Sequence, residues 1–343
     1  MINLLYQEID LKRMAENFEA IKRKSKKDII AVVKSRCYGL GDRQIPKYLE
    51  ALGCRILAVV DIFEASRLLE EGIRTGILVL NSVEYDAYAY VNEFPNLILS
   101  VNSLQDARQL ADYRFDRTVR LHIQIDTGMN RLGFTDMTSY LEALDVLQTN
   151  PNLRIEGIYT HFSSPENRVL QESRFLPYLD SYPYLMIHCA ASSTYEHSAI
   201  GNFVRVGLDL YGDGRKDYLK QIVKIGCHPL TINRVPAGET IGYDQEYQAQ
   251  EDVIVAVLPI GYSNGFRRSL GGFPVMANHQ KYPTIGKVCM NHLYVLVDES
   301  VNINTEFIIT SADFPIREIA DYLKTTPHEI YCMMNIDNKI YLK

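Results

Sequence analysis

Paired cysteines are missing from this chain. Its six cysteines, Cys37, Cys54, Cys189, Cys227, Cys289 and Cys332, are scattered, with no Cys-x-x-Cys pair and no zinc-finger spacing. That argues against a disulfide framework and against a metal cluster, and it fits thiols kept reduced in a cytoplasm. Apolar runs long enough to span a bilayer are also lacking. The first residues, Met1 to Glu8, have no basic region followed by a long apolar one, so no signal peptide is expected. Basic charge is not in excess. A net charge of −6 gives no reason to expect nucleic acid or an anionic membrane as partner. No Gly-x-Gly-x-x-Gly turn follows an early strand, which counts against a doubly wound dinucleotide-binding sheet. Internal repeats and low-complexity segments are absent as well.

What the chain has instead is rhythm. Its 343 residues are too many for one small core and suggest two domains. Short apolar strands are expected at about 29–34, 56–61, 77–81, 97–101, 119–126, 153–162, 185–190 and 203–211. Helical periodicity separates most of them. Phe63–Gly72 ends in a capping glycine, and a helix over 102–110 begins with a capping residue after a strand. Eight strand–helix alternations predict an α/β fold, a (β/α)8 TIM-type barrel over residues 10–225. After about residue 225 the texture changes. Val253–Ile260, Ile285–Met290 and Tyr294–Asp298 read as strands joined by Gly-, Pro- and Asn-rich turns, with one helix near 316–324. Residues 226–343 are therefore expected to form a mostly antiparallel β domain, joined by a first strand from residues 1–9, where a strand-like segment spans 4–10.

One residue stands out at a strand end. Lys34 closes the run Ile29-Ile30-Ala31-Val32-Val33 and precedes the turn Ser35-Arg36-Cys37-Tyr38-Gly39. A lysine at the rim of a water-poor barrel is disfavoured in its charged form, which suits a nucleophilic amine. In such barrels the active site lies at the C-terminal ends of the strands. Those ends also carry Asp126-Thr127-Gly128-Met129-Asn130-Arg131-Leu132-Gly133, Thr160-His161-Phe162, His188-Cys189-Ala190-Ala191-Ser192 and Val204-Arg205-Val206-Gly207-Leu208. An amine, two guanidiniums, an imidazole, hydroxyls and glycine turns at one rim suit a phosphorylated aldehyde cofactor held by the amine.

These segments, with Gly242-Tyr243, Gly261-Tyr262 and Val288-Cys289-Met290 in the same order, resemble the alanine racemases. Those are pyridoxal 5'-phosphate enzymes with a barrel and a C-terminal β domain, and the resemblance covers nearly the whole chain. It implies an amino-acid racemase that interconverts L- and D-alanine in the cytoplasm, supplying D-alanine, as a homodimer with shared active sites. Lys34 would carry the cofactor as an internal Schiff base and act as one base. Tyr243 from the partner chain would be the other. Tyr38, Ser192, Gly207 and Leu208 would hold the phosphate, Arg205 would face the pyridine nitrogen, and His161 would join its network. Arg131 would contact the cofactor's phenolic oxygen and the substrate carboxylate, with Tyr262 and Met290 lining the substrate entrance from the partner.

The chain also departs from that family's usual pattern. Gln124 stands where many members carry a carbamylated lysine, Ala191 replaces an asparagine, and Asn291 follows Met290 in place of an aspartate. The segment Cys332–Asp337 lacks a phosphate-binding tyrosine. These departures leave serine or a broader set of amino acids open as substrates. A cofactor-binding protein without turnover and a decarboxylase of basic amino acids are the remaining readings. The β domain with Tyr243 weighs against the first, and Arg205 in place of a carboxylate against the second.

Overall fold

The computed structural model describes residues 4–343, so residues 1–3 of the expected first segment lie outside the described residues. The chain divides into two compact units. One contains Phe18–Cys37 and Gly41–Leu210; the other gathers the described residues up to Asn17, then Tyr38–Leu40 and Tyr211–Lys343.

The first unit is a closed barrel of eight parallel strands. They run Asp28–Val32, Ile56–Val59, Gly76–Val79, Leu97–Val101, Val119–Gln124, Leu153–Tyr159, Met186–Ala191 and Phe203–Val206. The first and last strands close the ring through Asp28↔Phe203 to Ala31↔Val206. Both faces of each strand are covered, so the strands are almost continuously apolar rather than alternating. Burying each Val, Leu or Ile contributes roughly 1.5–3 kcal/mol. Three of the helices on the outside start at side-chain caps. Asp61, Ser103 and Asp136 each accept the amide three residues on, from Glu64, Asp106 and Ser139.

Six of the eight expected barrel strands end earlier than read, by two to five residues, and two of these bear on the site. The last was read over 203–211, but it stops at Val206, and Leu208–Tyr211 forms a single helical turn. The alternation of Leu208, Asp209 and Leu210 imitates a strand, whereas the amide of Leu210 bonds back to the carbonyl of Gly207. The first barrel strand ends at Val32, so Lys34 stands just beyond the ladder rather than in it.

The second unit is built on a nine-stranded, mostly antiparallel sheet. Leu5–Asp10 lies within it, antiparallel to Val223–Cys227 and parallel to Lys339–Leu342. The strand read from Ile285 onward instead finishes there, over Gln280–Ile285. Gly286 follows at φ +62°, a left-handed bend that stops the ladder. Helical structure near 316–324 comprises Ile316–Tyr322, and a second helix, Pro327–Met333, was not foreseen.

Candidate active site

At the C-terminal rim of the barrel, Lys34 opens a turn with unusual backbone. Ser35, Arg36 and Cys37 lie at φ 53° with ψ of 46–50°, and Tyr38 follows at φ 59°. This is a left-handed turn made without glycine or asparagine. Each such residue costs about 1–2 kcal/mol, and strain of this kind persists only where surrounding bonds over-determine it. The amide of Ser35 donates to Glu64 Oε1 at 2.6 Å, and that of Cys37 to the Val33 carbonyl at 2.9 Å. Lys34 itself is half-buried.

Arg205 projects from the last barrel strand and is buried. Its Nη1 donates to the His188 carbonyl and to His188 Nδ1, both at 2.7 Å. Its Nη2 donates to the Thr160 carbonyl at 2.6 Å and to His161 Nδ1 at 3.1 Å. Every acceptor is a carbonyl or a ring nitrogen rather than a carboxylate. Burial lowers its pKa to about 10, so the group stays cationic at neutral pH. Its guanidinium also lies over the Tyr159 ring, 5.0 Å from the centroid.

An arginine only donates, so it sets the tautomers around it. His188 Nδ1 accepts, which leaves the proton on Nε2. That nitrogen lies 2.8 Å from His122 Nδ1, so His122 in turn carries its proton on Nε2. There it faces Glu156 Oε1 at 3.6 Å, beyond hydrogen-bond length. Glu156 is bound by Arg120 Nη2 at 2.6 Å. Burial alone would raise the Glu156 carboxyl, but the facing N–H of His122 and the bonded Arg120 guanidinium outweigh it and hold it at about 2. Burial lowers His122 and pushes His188 well below its usual range, reinforced for both by the Arg205 charge. Burial, then the charges of Arg205, Arg131 and Lys34, lower His161 to about 3. The imidazoles are therefore neutral.

Tyr159 stacks on His188 with centroids 4.7 Å apart. Its hydroxyl donates to Gln124 Oε1 at 2.7 Å and meets Ser100 Oγ at 2.8 Å. Burial raises its pKa to about 12. Gln124 is thus an acceptor for a tyrosine in the barrel interior. Arg131 sits on a loop gathered around one carboxylate. Asp126 Oδ1 accepts the amides of Gly128, Met129 and Asn130 at 2.8–3.0 Å, and Oδ2 accepts that of Arg131 at 2.8 Å. Burial would raise Asp126, but these amides together lower it. Gly133 closes the loop at φ +117°, where a Cβ would stand 2.7 Å from the Asp126 nitrogen. Ser192 is buried and its Oγ accepts the Asp209 amide at 3.4 Å. Gly207 and Leu208 lead into the adjacent helical turn.

The other unit holds the remaining predicted residues. Tyr38 packs edge-on to Tyr211, with His328 also beside it at 5.9 Å between centroids. Tyr331 is buried, its hydroxyl donating to the Gly212 carbonyl at 2.5 Å. Tyr243 is 67% exposed, on a turn tied down by Lys287 Nζ to Asp244 Oδ2 at 2.5 Å. Tyr262 and Met290 are joined by adjacent backbone bonds, Tyr262 N to Cys289 O at 3.1 Å and Ser263 N to Met290 O at 3.0 Å. Both are exposed, at 43% and 55%.

The sequence reading did not single out Glu64, His122, Glu156 or Tyr159. The signal available for three of them was a polar side chain inside an apolar barrel strand, in Leu121-His122-Ile123 and in Ile155-Glu156-Gly157-Ile158-Tyr159.

Comparison with known proteins agrees with this geometry. Residues 9–215 match the family description "Alanine racemase, N-terminal domain" and residues 222–340 match "Alanine racemase, C-terminal domain". The alanine racemase of Staphylococcus carnosus is 30% identical, over 87% of this chain and 83% of its own length. That of Macrococcus caseolyticus is 29% identical, over 94% of this chain and 90% of its own. The crystal structure of the Bacillus anthracis alanine racemase with bound L-Ala-P superimposes with a TM-score of 0.91 at 25% identity, covering 100% of this chain and 96% of that one. With a barrel rim of this composition, an antiparallel β domain and both family domains matched in order, the chain belongs to the alanine racemase family, isomerases that depend on pyridoxal 5'-phosphate.

Proposed function

We propose that the chain racemises alanine as a cytoplasmic homodimer, with Lys34 and Tyr243 of the partner subunit as opposed bases. The barrel, residues 10–225, would hold the cofactor. Residues 226–343, with the first strand, would complete the partner's site.

The residues present fit pyridoxal 5'-phosphate. The observation that carries the reading is Arg205, a buried cation whose hydrogen bonds all go to neutral acceptors, at the same rim as Lys34. When bound, the cofactor supplies an aldehyde that joins an amine and an electron-withdrawing ring that acidifies the Cα–H of the attached amino acid. Lys34 Nζ is the amine that holds it. Tyr38, the Ser192 hydroxyl and the amides of Gly207 and Leu208 are donors for its phosphate. Arg205, which does not give up a proton near neutral pH, would lie toward the ring nitrogen and would not protonate it. That weakens the electron sink compared with a carboxylate partner and disfavours side reactions.

Racemisation needs a base on each face of the substrate carbon, one removing the proton and the other returning one. Lys34 Nζ serves one face. Tyr243 is exposed in its own chain, which supports its service to a second one. Arg131 binds the substrate carboxylate, and Tyr262 and Met290 of the partner subunit line the entrance.

Mixed dimers test the reading. Lys34→Ala and Tyr243→Phe proteins are each expected to be nearly inactive towards L-alanine. Mixing them under subunit exchange should restore about a quarter of the unsubstituted activity, since half the dimers would hold one intact site. No recovery on mixing would exclude shared sites. A coupled assay over other amino acids, serine first, decides how broad the substrate set is.

A further inference from the structure

We propose that Glu64 is a positioning residue for Lys34: its carboxylate clamps the peptide that follows the lysine and so fixes the left-handed turn from which the amine projects. The role toward the cofactor rests on the reading of Lys34 above, whereas the clamp rests on the backbone geometry alone.

The strand Asp28–Val32 pairs with Ile56–Val59, and the last bond of that ladder runs from the Val33 amide to the Ala58 carbonyl at 2.9 Å. Just beyond it both strands end, and Glu64 accepts one amide from each, that of Ser35 and that of Val60. Its Oε1 accepts from the Ser35 amide at 2.6 Å and its Oε2 from the Val60 amide at 2.9 Å. One carboxylate thus bridges two neighbouring strand ends, one of which continues directly from Lys34.

Glu64 is itself held in place. It lies in the first turn of the helix Ile62–Glu70, and its own amide donates to Asp61 Oδ1 at 2.9 Å. No Lys or Arg forms an ion pair with it among the described residues, so its charge is directed at the two amides. A carboxylate accepting from backbone amides makes a stronger bond than a neutral acceptor would. Such a bond is what the turn calls for, because Ser35, Arg36, Cys37 and Tyr38 all hold a conformation that none of these residue types prefers. Relaxation of Ser35 to an ordinary backbone would swing the Lys34 carbonyl and change the direction of its side chain. A displacement of about 1 Å at a reacting group can cost on the order of a hundredfold in rate.

The test compares the unsubstituted protein with Glu64→Ala and Glu64→Gln. In the protein without added cofactor, Glu64→Ala should speed amide hydrogen exchange over residues 34–38 by about tenfold or more, leaving Leu97–Val101 and Val119–Gln124 unchanged. On adding pyridoxal 5'-phosphate, borohydride-trapped label should accumulate on Lys34 about tenfold more slowly. With alanine, kcat should fall about tenfold while KM stays within about threefold. Glu64→Gln keeps one amide acceptor, so it should lie between the two in every measurement, and it carries the test if the alanine variant does not fold. Exchange at 34–38 unchanged in both variants, or raised equally throughout the barrel, would overturn the clamp. Faster local exchange with unchanged labelling and kcat would overturn the positioning role. Failure of the unsubstituted protein to take label at Lys34 would instead refute the functional reading, and the exchange data would still judge the clamp.

Discussion

His122 Nδ1 and His188 Nε2 lie 2.8 Å apart in the barrel interior, and the proton between them belongs to His188. Arg205 dictates this by donating to the other nitrogen of His188. The cation at the rim is thereby linked, through one ring, to a second one at His122, whose Nε2 faces Glu156 at 3.6 Å.

Breaking that link should be costly. Replacing His188 with Phe keeps the ring volume but takes an acceptor from Arg205 Nη1. We expect a loss of about 1–3 kcal/mol in unfolding free energy, the usual result of stranding a buried donor. Urea unfolding followed by circular dichroism measures it. A variant as stable as the parent would mean that the carbonyl of residue 188 satisfies Arg205 Nη1 alone.

The neutral imidazoles make stability sensitive to acid. His122, His161 and His188 all have folded pKa values below that of an unfolded histidine, about 6.5. The unfolded chain therefore takes up protons first. Stability should be full above pH 6.5 and decline as pH falls below it, by up to about 1.4 kcal/mol per pH unit for each imidazole that stays neutral in the fold. Denaturation midpoints between pH 8 and 5 test this. In His188→Phe the slope should be shallower by one proton. A flat profile down to pH 5 would contradict the buried, neutral assignment.

Gly157 is present because His122 fills the space where its side chain would be. A Cβ there would stand 2.6 Å from His122 Cδ2, and the strand register shifts at this point, between Leu121 and His122. Gly157→Ala should therefore destabilise the barrel by about 1–3 kcal/mol through overpacking. A second substitution, His122→Ala, should relieve part of that cost. A double-mutant cycle with no coupling would show that the two sites do not share this space.

Asp126 holds the loop that carries Arg131 through four amides. Asp126→Ala leaves those amides to water and frees the loop. Because the proposed role of Arg131 is to bind the substrate carboxylate, KM for alanine should rise about tenfold or more, with a smaller change in kcat. Steady-state kinetics decide the matter. An unchanged KM would remove Arg131 from substrate binding.

Much of this was legible in the chain. The barrel strands are β-branched runs covered on both faces, and their order alone implied the ring. The strand ends were less legible. Leu208-Asp209-Leu210 alternates like a strand, yet the helical turn wins once Gly207 interrupts the ladder. The turn after Lys34 carried no warning of its left-handed backbone, since nothing in Ser35-Arg36-Cys37-Tyr38 signals positive φ. Its cause lies in Glu64, a helix residue from the next strand–helix unit. Lys34, Arg131, His161 and Arg205 could be named because they sit at strand ends, where this fold places its chemistry. His122 and Glu156 could not, because a polar residue in a barrel strand declares its burial but not its partner.

The pairing of Leu5–Asp10 with both Val223–Cys227 and Lys339–Leu342 sets a timetable for synthesis. The barrel strands can assemble successively as they leave the ribosome. The strand Leu5–Asp10 waits for its first neighbour for roughly 10–45 s at ordinary translation speeds, and longer for its second, which lies more than a hundred residues further along the chain. During that interval it is an unpaired strand edge, with Leu5 and Ile9 exposed to water that the finished sheet excludes.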